Sequence, residues 1–211
     1  MAATRALEDK EIFAIFDSIK GRHAIHNRAM LLVGIAGALR ATELVSLTVG
    51  DVYSKKEVKT YVTIRGETAK FGKQRTIRLG EGVRHAIREF IEFKREHGES
   101  IDAFKPLFRS QKGGHLTRIA LLQTVTRIFG KARIDQSPHA LRKTGATIYY
   151  IASDYDLLAT QQFLGHASPS TTRKYIGLTT EQLVNYSEKA SVNLFNAMHT
   201  EGGEGKFITY I

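Results

Sequence analysis

The spacing of apolar residues changes period once along this chain and then changes back. That switch constrains the fold more than any other feature. Ile12, Phe13, Ile15, Phe16 and Ile19 recur at helical spacing between Leu7 and Lys20. A second, more buried helix is predicted over His23 to Ala38, where Gly34 and Gly37 allow close packing. Arg40 to Leu47 reads as a short helix with Leu44 and Leu47 inward. From Val58 to Arg65 the sequence VKTYVTIR alternates and is rich in β-branched residues, which predicts a strand. QRTIRL, Gln74 to Leu79, is its predicted partner, with Lys70, Gly72 and Lys73 in the turn between them. The helical period returns over Glu81 to His97. Further helices are predicted over 117–132, 138–152, 154–164, 169–175 and 179–197, with Pro138 at a first helical position. A mostly helical chain around one small antiparallel sheet of two or three strands is an α+β arrangement.

A length of 211 residues suits one domain. The expectation is a single domain over residues 1–199 with no helical domain ahead of it, either a stand-alone enzyme or an excised domain. A flexible Gly-rich tail over 200–211 ends in the strand-like Phe207-Ile208-Thr209-Tyr210-Ile211. There is no Cys, so neither a disulfide framework nor a thiolate metal site is available. His23 and His26 are three apart, but no carboxylate or Cys motif completes a metal site. The longest apolar run, Ala29 to Ala36, falls far short of the roughly 20 residues of a membrane span. The N-terminus has no apolar signal region. These features lead to the expectation of a cytoplasmic protein with no membrane partner. Lys and Arg number 31 against 21 Asp and Glu, a formal charge of +10, the balance of a protein that binds a polyanion.

The second half of the chain carries a polar constellation. His139 and Arg142 lie in SPHALRKTGAT, His166 in FLGH, and Tyr175 in STTRKYIGL, nine residues after His166. His139 and Arg142 are three apart, so one helix face presents both. Gly165 permits a sharp turn directly before His166. The first half adds Arg40, which ends the apolar run LLVGIAGAL, and Lys70 in TAKFGKQR. Glu43 falls on the same helical face as Arg40 and is placed to hold it. Guanidinium groups from distant segments suit the nonbridging oxygens of a phosphodiester, because the group is planar, permanently charged and bidentate. A tyrosine hydroxyl is a nucleophile only when assisted. Tyr149 and Tyr150 lie in an apolar stretch and read as helix-packing residues.

Arg40, Lys70, His139, Arg142, His166 and Tyr175, in this order and framing, resemble the catalytic domain of the tyrosine recombinases. That family includes the phage integrases and the Xer-type recombinases. The resemblance runs from Leu7 to Ala197. It implies Tyr175 as nucleophile, Arg40 and Arg142 as the phosphate clamp, and His139 as base or hydrogen-bond partner near the phosphate. It implies His166 as a hydrogen-bond donor, Lys70 as general acid for the 5′-oxygen, and Glu43 in support. The implied reaction cleaves a DNA strand, holds it as a 3′-phosphotyrosyl ester and passes it to another duplex, integrating, excising or inverting DNA. It needs no metal, nucleotide or other cofactor. The implied partners are double-stranded DNA and a homotetramer on paired sites. The apolar end of the tail, after a Gly-rich hinge, adds the expectation of tail exchange between subunits. Ala38 and Phe71 stand where glycine is common in the family, and Lys143 where histidine is frequent. Two alternatives are a type IB topoisomerase, a family with lysine at the place of His139, and a DNA-binding protein that keeps the fold without the chemistry.

Overall fold

The structure, a computed structural model, describes residues 4–65, 74–173 and 175–176. Helices α1 (Asp9–Ser18), α2 (Ala24–Ala36), α3 (Ala41–Ser46) and α4 (Val49–Val52) come first. Among the described residues, four short strands follow, β1 (Tyr53–Ser54), β2 (Glu57–Val58), β3 (Tyr61–Ile64) and β4 (Arg75–Arg78). Then come α5 (Glu81–Glu96), α6 (Arg118–Lys131), α7 (Ala140–Ala152), α8 (Leu157–Leu164) and α9 (Pro169–Arg173). The arrangement is the expected α+β one, mostly helical. The predicted helix over 179–197 and the tail lie outside the described residues.

Among the described residues two antiparallel pairs form, β1 with β2 and β3 with β4. The predicted strand over 58–65 divides because Val58 pairs with Tyr53 in the first hairpin. Its two-residue turn is Lys55-Lys56, both with positive φ (51° and 66°). That is the backbone of a type I′ turn, but without the Asn-Gly or Asp-Gly that signals one in a sequence. In the second hairpin Ile64 faces Arg75 and Tyr61 faces Arg78. Val62, Ile64, Arg75 and Ile77 all point to its buried side.

The core gathers Ile15, Met30, Leu31, Phe90, Ile91, Leu107, Phe108 and Phe129, each no more than 1% exposed. Helix α2 runs through it, buried on most of its circumference, and packs on both α5 and α7. The α2–α7 approach is set by Gly145. A methyl group there would strike the carbonyl oxygen of Ile35. Pro138 is not the first residue of α7. It precedes a tighter turn, in which Ala140 N–H donates to Ser137 O at 2.9 Å and Leu141 N–H to Pro138 O at 3.2 Å. The regular helix begins at Ala140. The N-terminal segment is tied to this start: Leu7 N–H donates to Thr144 Oγ1 at 2.8 Å, and Lys143 Nζ to Thr4 O at 2.5 Å. Among the described residues no helix is long and apolar enough to cross a membrane.

Candidate active site

Two helix ends build the site. Helix α2 stops because Ala38 turns into the left-handed region (φ 43°). Its N–H donates to Ile35 O at 2.9 Å, and Leu39 N–H reaches back to Gly34 O at 2.9 Å. Helix α8 stops in the same way, with Gly165 at φ 64°. There Gly165 N–H donates to Gln162 O and His166 N–H to Gln161 O, both at 3.1 Å. In each case the paired back-bonds satisfy carbonyls that a helix end leaves orphaned. They also fix the direction of the next residues, Arg40 after α2 and His166 after α8. Glycine takes this conformation freely, whereas Ala38 takes it at some cost.

Glu43 is the centre of the charge arrangement and is fully buried. One oxygen accepts from Arg40 Nη1 at 2.7 Å and from Arg75 Nη1 at 2.9 Å. The other accepts from the backbone N–H of Arg40 at 2.8 Å and from Arg75 Nη2 at 2.8 Å. Arg142 Nη1 lies 3.7 Å from the same carboxylate. Burial by itself raises the pKa of Glu43. The hydrogen bonds and charge of Arg75, the Arg40 N–H and the charge of Arg142 outweigh it and hold the group at about 2. Three guanidinium groups thus surround one ionised carboxylate.

Arg142, 3% exposed, also donates to the carbonyls of Ala38 and Leu164. Its Nη2 lies 3.1 Å from His166 Nε2. A guanidinium can only donate, so Nε2 accepts here and the ring proton sits on Nδ1. Nδ1 then donates to Thr172 Oγ1 at 3.0 Å, and Thr172 is itself fully buried. Burial, then the charges of Arg142, Arg40 and Arg75, lower His166 to about 4, so the ring is neutral at pH 7. Burial also lowers Arg142, with Arg40 adding to the effect, to about 10, and the group stays cationic at neutral pH. Tyr175 completes the group. The Arg142 guanidinium lies over its ring at 5.3 Å. The rings of His139 and His166 lie 5.1 and 4.9 Å from it. Desolvation, then Arg142, Lys143 and Arg40, lowers His139 below the ordinary histidine value, which leaves it neutral and able to accept a proton.

Arg40, His139, Arg142 and Tyr175 line a crevice of about 550 Å³ together with Arg118 and the apolar Leu121, Leu122 and Val125 of α6. Cations, a neutral imidazole and a phenol hydroxyl on such a surface can hold an anionic ester beside a nucleophile.

Five of the six predicted residues, Arg40, His139, Arg142, His166 and Tyr175, and the supporting Glu43 therefore come together. The sixth, Lys70, lies outside the described residues. Tyr149 stacks on Phe163 at 3.9 Å and Tyr150 meets Tyr155 edge-on at 5.5 Å, the packing role expected of both. Sequence reasoning missed Arg75 as a member of the cluster, and Thr172. The signal for Arg75 was present: strand alternation puts it on the face of Ile77, and a charge on an apolar face has a partner or a use. Thr172 gives no such signal, because it is one of three hydroxyl residues in a row, Ser170-Thr171-Thr172.

Residues 5–182 match the model of the phage integrase family. The tyrosine recombinase XerD of Yersinia pestis is 34% identical over 165 residues, which cover 75% of this chain and 52% of that protein. The tyrosine recombinase XerC of Bifidobacterium longum is 32% identical over 168 residues, covering 75% and 45% respectively. The chain spans about half the length of the relatives it matches. Among solved structures, XerA recombinase superposes with a TM-score of 0.71 at 21% identity, covering 96% of this chain and 66% of that one. XerH recombinase bound to palindromic difH substrate, a post-cleavage complex, gives 0.69 at 24% identity, covering 92% and 55%. These two likenesses show a shared fold.

Proposed function

Because the chain belongs to the phage integrase family, we propose that it is a site-specific DNA recombinase working through a 3′-phosphotyrosyl intermediate. The observation that carries the proposal is the convergence of His139, Arg142 and His166 on the ring of Tyr175, with Arg40 lining the same crevice. On this reading residues 1–199 make up the catalytic domain. Arg40 and Arg142 take the nonbridging oxygens of the scissile phosphate. Tyr175 Oη attacks phosphorus and its proton passes to His139. The bond from phosphorus to the 5′-oxygen breaks as the tyrosyl ester forms, and Lys70 protonates the leaving oxygen. A second strand's 5′-hydroxyl reverses these steps and frees the enzyme. The ester conserves the bond, so the cycle calls for no metal and no nucleotide.

Double-stranded DNA is the substrate on this reading, and the site of action is the cytoplasmic DNA. Assembly as a homotetramer on paired sites is part of the same proposal, supported by the lambda integrase tetramer bound to a Holliday junction, to which this chain is similar in fold. In the structure His166 Nε2 accepts from Arg142. Donation to a phosphate oxygen needs the ring proton on Nε2, which a phosphate drawing away the Arg142 Nη2 would permit.

The test is incubation with nicked suicide DNA carrying the native junction, followed by a denaturing gel. A covalent protein–DNA band that Tyr175→Phe abolishes is the expected result. DNA binding without a band in the wild type contradicts the proposal.

A further inference from the structure

We propose that Arg75 is a positioning residue for strand cleavage, acting through Glu43 to set the arginine clamp. The inference rests on the reading of Tyr175 and the two arginines as a phosphoryl-transfer site. Three observations carry it.

The first is geometry. Both terminal nitrogens of Arg75 are engaged by Glu43 in a two-pronged pair, at 2.9 and 2.8 Å. The same two carboxylate oxygens hold Arg40 by its side chain and by its backbone N–H. Arg75 therefore fixes the rotation of the carboxylate that orients Arg40. A carboxylate has about four acceptor directions. With Arg75 gone, two of them open, and Arg142, 3.7 Å away, is the nearest cation to fill them. That would draw Arg142 away from Tyr175 and from any phosphate beside it.

The second is burial. Arg75 is 7% exposed and is absent from the walls of the crevice. With both terminal nitrogens on Glu43, it has no fork left to offer a substrate. Its effect on a phosphodiester must pass through another residue.

The third is placement. The Arg75 side chain lies along the turn at Gly165, where a methyl group on the glycine would come within 3.2 Å of its Cδ. That turn delivers His166. Arg75 also opens β4, the strand that follows the segment containing Lys70. One side chain thus touches the support of Arg40 and the turn before His166.

The test compares Arg75→Lys, which keeps the charge but loses the fork, with Arg75→Met, which loses both. Each is made alone and with Glu43→Gln. Thermal unfolding, DNA affinity and the single-turnover rate of covalent adduct formation are measured for every variant. The expected result for Arg75→Lys is a folded protein with DNA affinity within about threefold of wild type and a cleavage rate down by roughly 10–100-fold, the scale of a misplaced reacting group. Arg75→Met in the Glu43→Gln background should slow cleavage far less than in the wild type, because one residue acts through the other. A purely structural Arg75 gives a different pattern, with cleavage that tracks the folded fraction and effects of the two sites that multiply. That pattern, or wild-type cleavage by Arg75→Lys, overturns the inference and leaves the proposed function standing. If the wild type forms no adduct, the proposed function falls and the inference falls with it.

Discussion

Lys94 and Glu43 are both buried charges, and their surroundings differ in balance. Lys94, 1% exposed on α5, pairs with Glu99 at 2.7 Å and donates to Leu107 O at 3.3 Å. Beside it His26 lies edge-on to Phe90 and Phe108, and burial lowers its pKa, so the ring is neutral. There the buried cation is matched by one anion, whose other partner, Arg109 at 3.7 Å, is 43% exposed and solvated. Around Glu43 three guanidinium groups meet one carboxylate. A matched pair needs nothing more to be stable where it is. Two surplus positive charges in a poorly solvated crevice cost stability on their own. Such a cost persists at sites where an anion is received.

The largest expected effect is at the centre of the unbalanced cluster. Glu43→Ala leaves three arginines uncompensated and should destabilise the protein by about 3–5 kcal/mol. The matched cluster should respond less. Lys94→Met keeps the volume, and Glu99 can turn to Arg109, 3.7 Å away, or to solvent, so a loss of about 1 kcal/mol or less is expected. Urea denaturation of the two variants checks the contrast, and equal losses would break it.

Gly145→Ala attacks the unbalanced cluster without touching a charge. The added methyl pushes α7 off α2, and α7 carries Arg142. A loss of about 2–3 kcal/mol is expected from overpacking, together with weaker cleavage, and both are measurable on one preparation. A variant as stable as wild type would show that the two helices can separate freely.

Acid should also act through the cluster around Glu43. The folded-state pKa of His166 is about 4, below its ordinary 6.5. As pH falls from 6.5 towards 4, the unfolded chain takes up a proton at this position that the folded chain refuses, so stability declines across that window. The contribution of Glu43 is complete above about 4.5 and is lost as pH falls towards 2. Unfolding midpoints measured from pH 7 to pH 4 should therefore drop less for His166→Asn than for wild type. Parallel curves would contradict the assigned neutral ring.

The smallest effect should be a gain. Ala38→Gly keeps the carbonyl that Arg142 uses and removes the strain of a left-handed alanine. The gain is partly offset by the looser unfolded chain, for a net of about 0.5 kcal/mol. A loss of stability would show that the Ala38 methyl, buried against Ala146 and Leu164, matters more than its backbone.

Much of this was legible in the sequence, for physical reasons. The helices around the core announced themselves because their apolar spacing matches the helical repeat. Arg40 stood out because a charge that ends an apolar run needs explanation, and His139, Arg142, His166 and Tyr175 because their order and spacing resemble the tyrosine recombinases. Two things were hidden. The Lys55-Lys56 turn lacks the usual turn residues, so two hairpins read as one strand pair. The link between Arg75 and Glu43 spans 32 positions and depends on the hairpin's tertiary placement, which periodicity cannot supply.

The claim beneath the comparison is that the surplus charge around Glu43 serves a phosphate. The most direct measurement is covalent-adduct formation by wild type and Arg40→Ala on two suicide substrates. One carries an ordinary scissile phosphate and the other an uncharged methylphosphonate at that position. If Arg40 answers the phosphate's charge, its loss should slow cleavage by about 100-fold on the first substrate and by less than about 10-fold on the second. An equal penalty on both would mean that the surplus charge is not there for the phosphate.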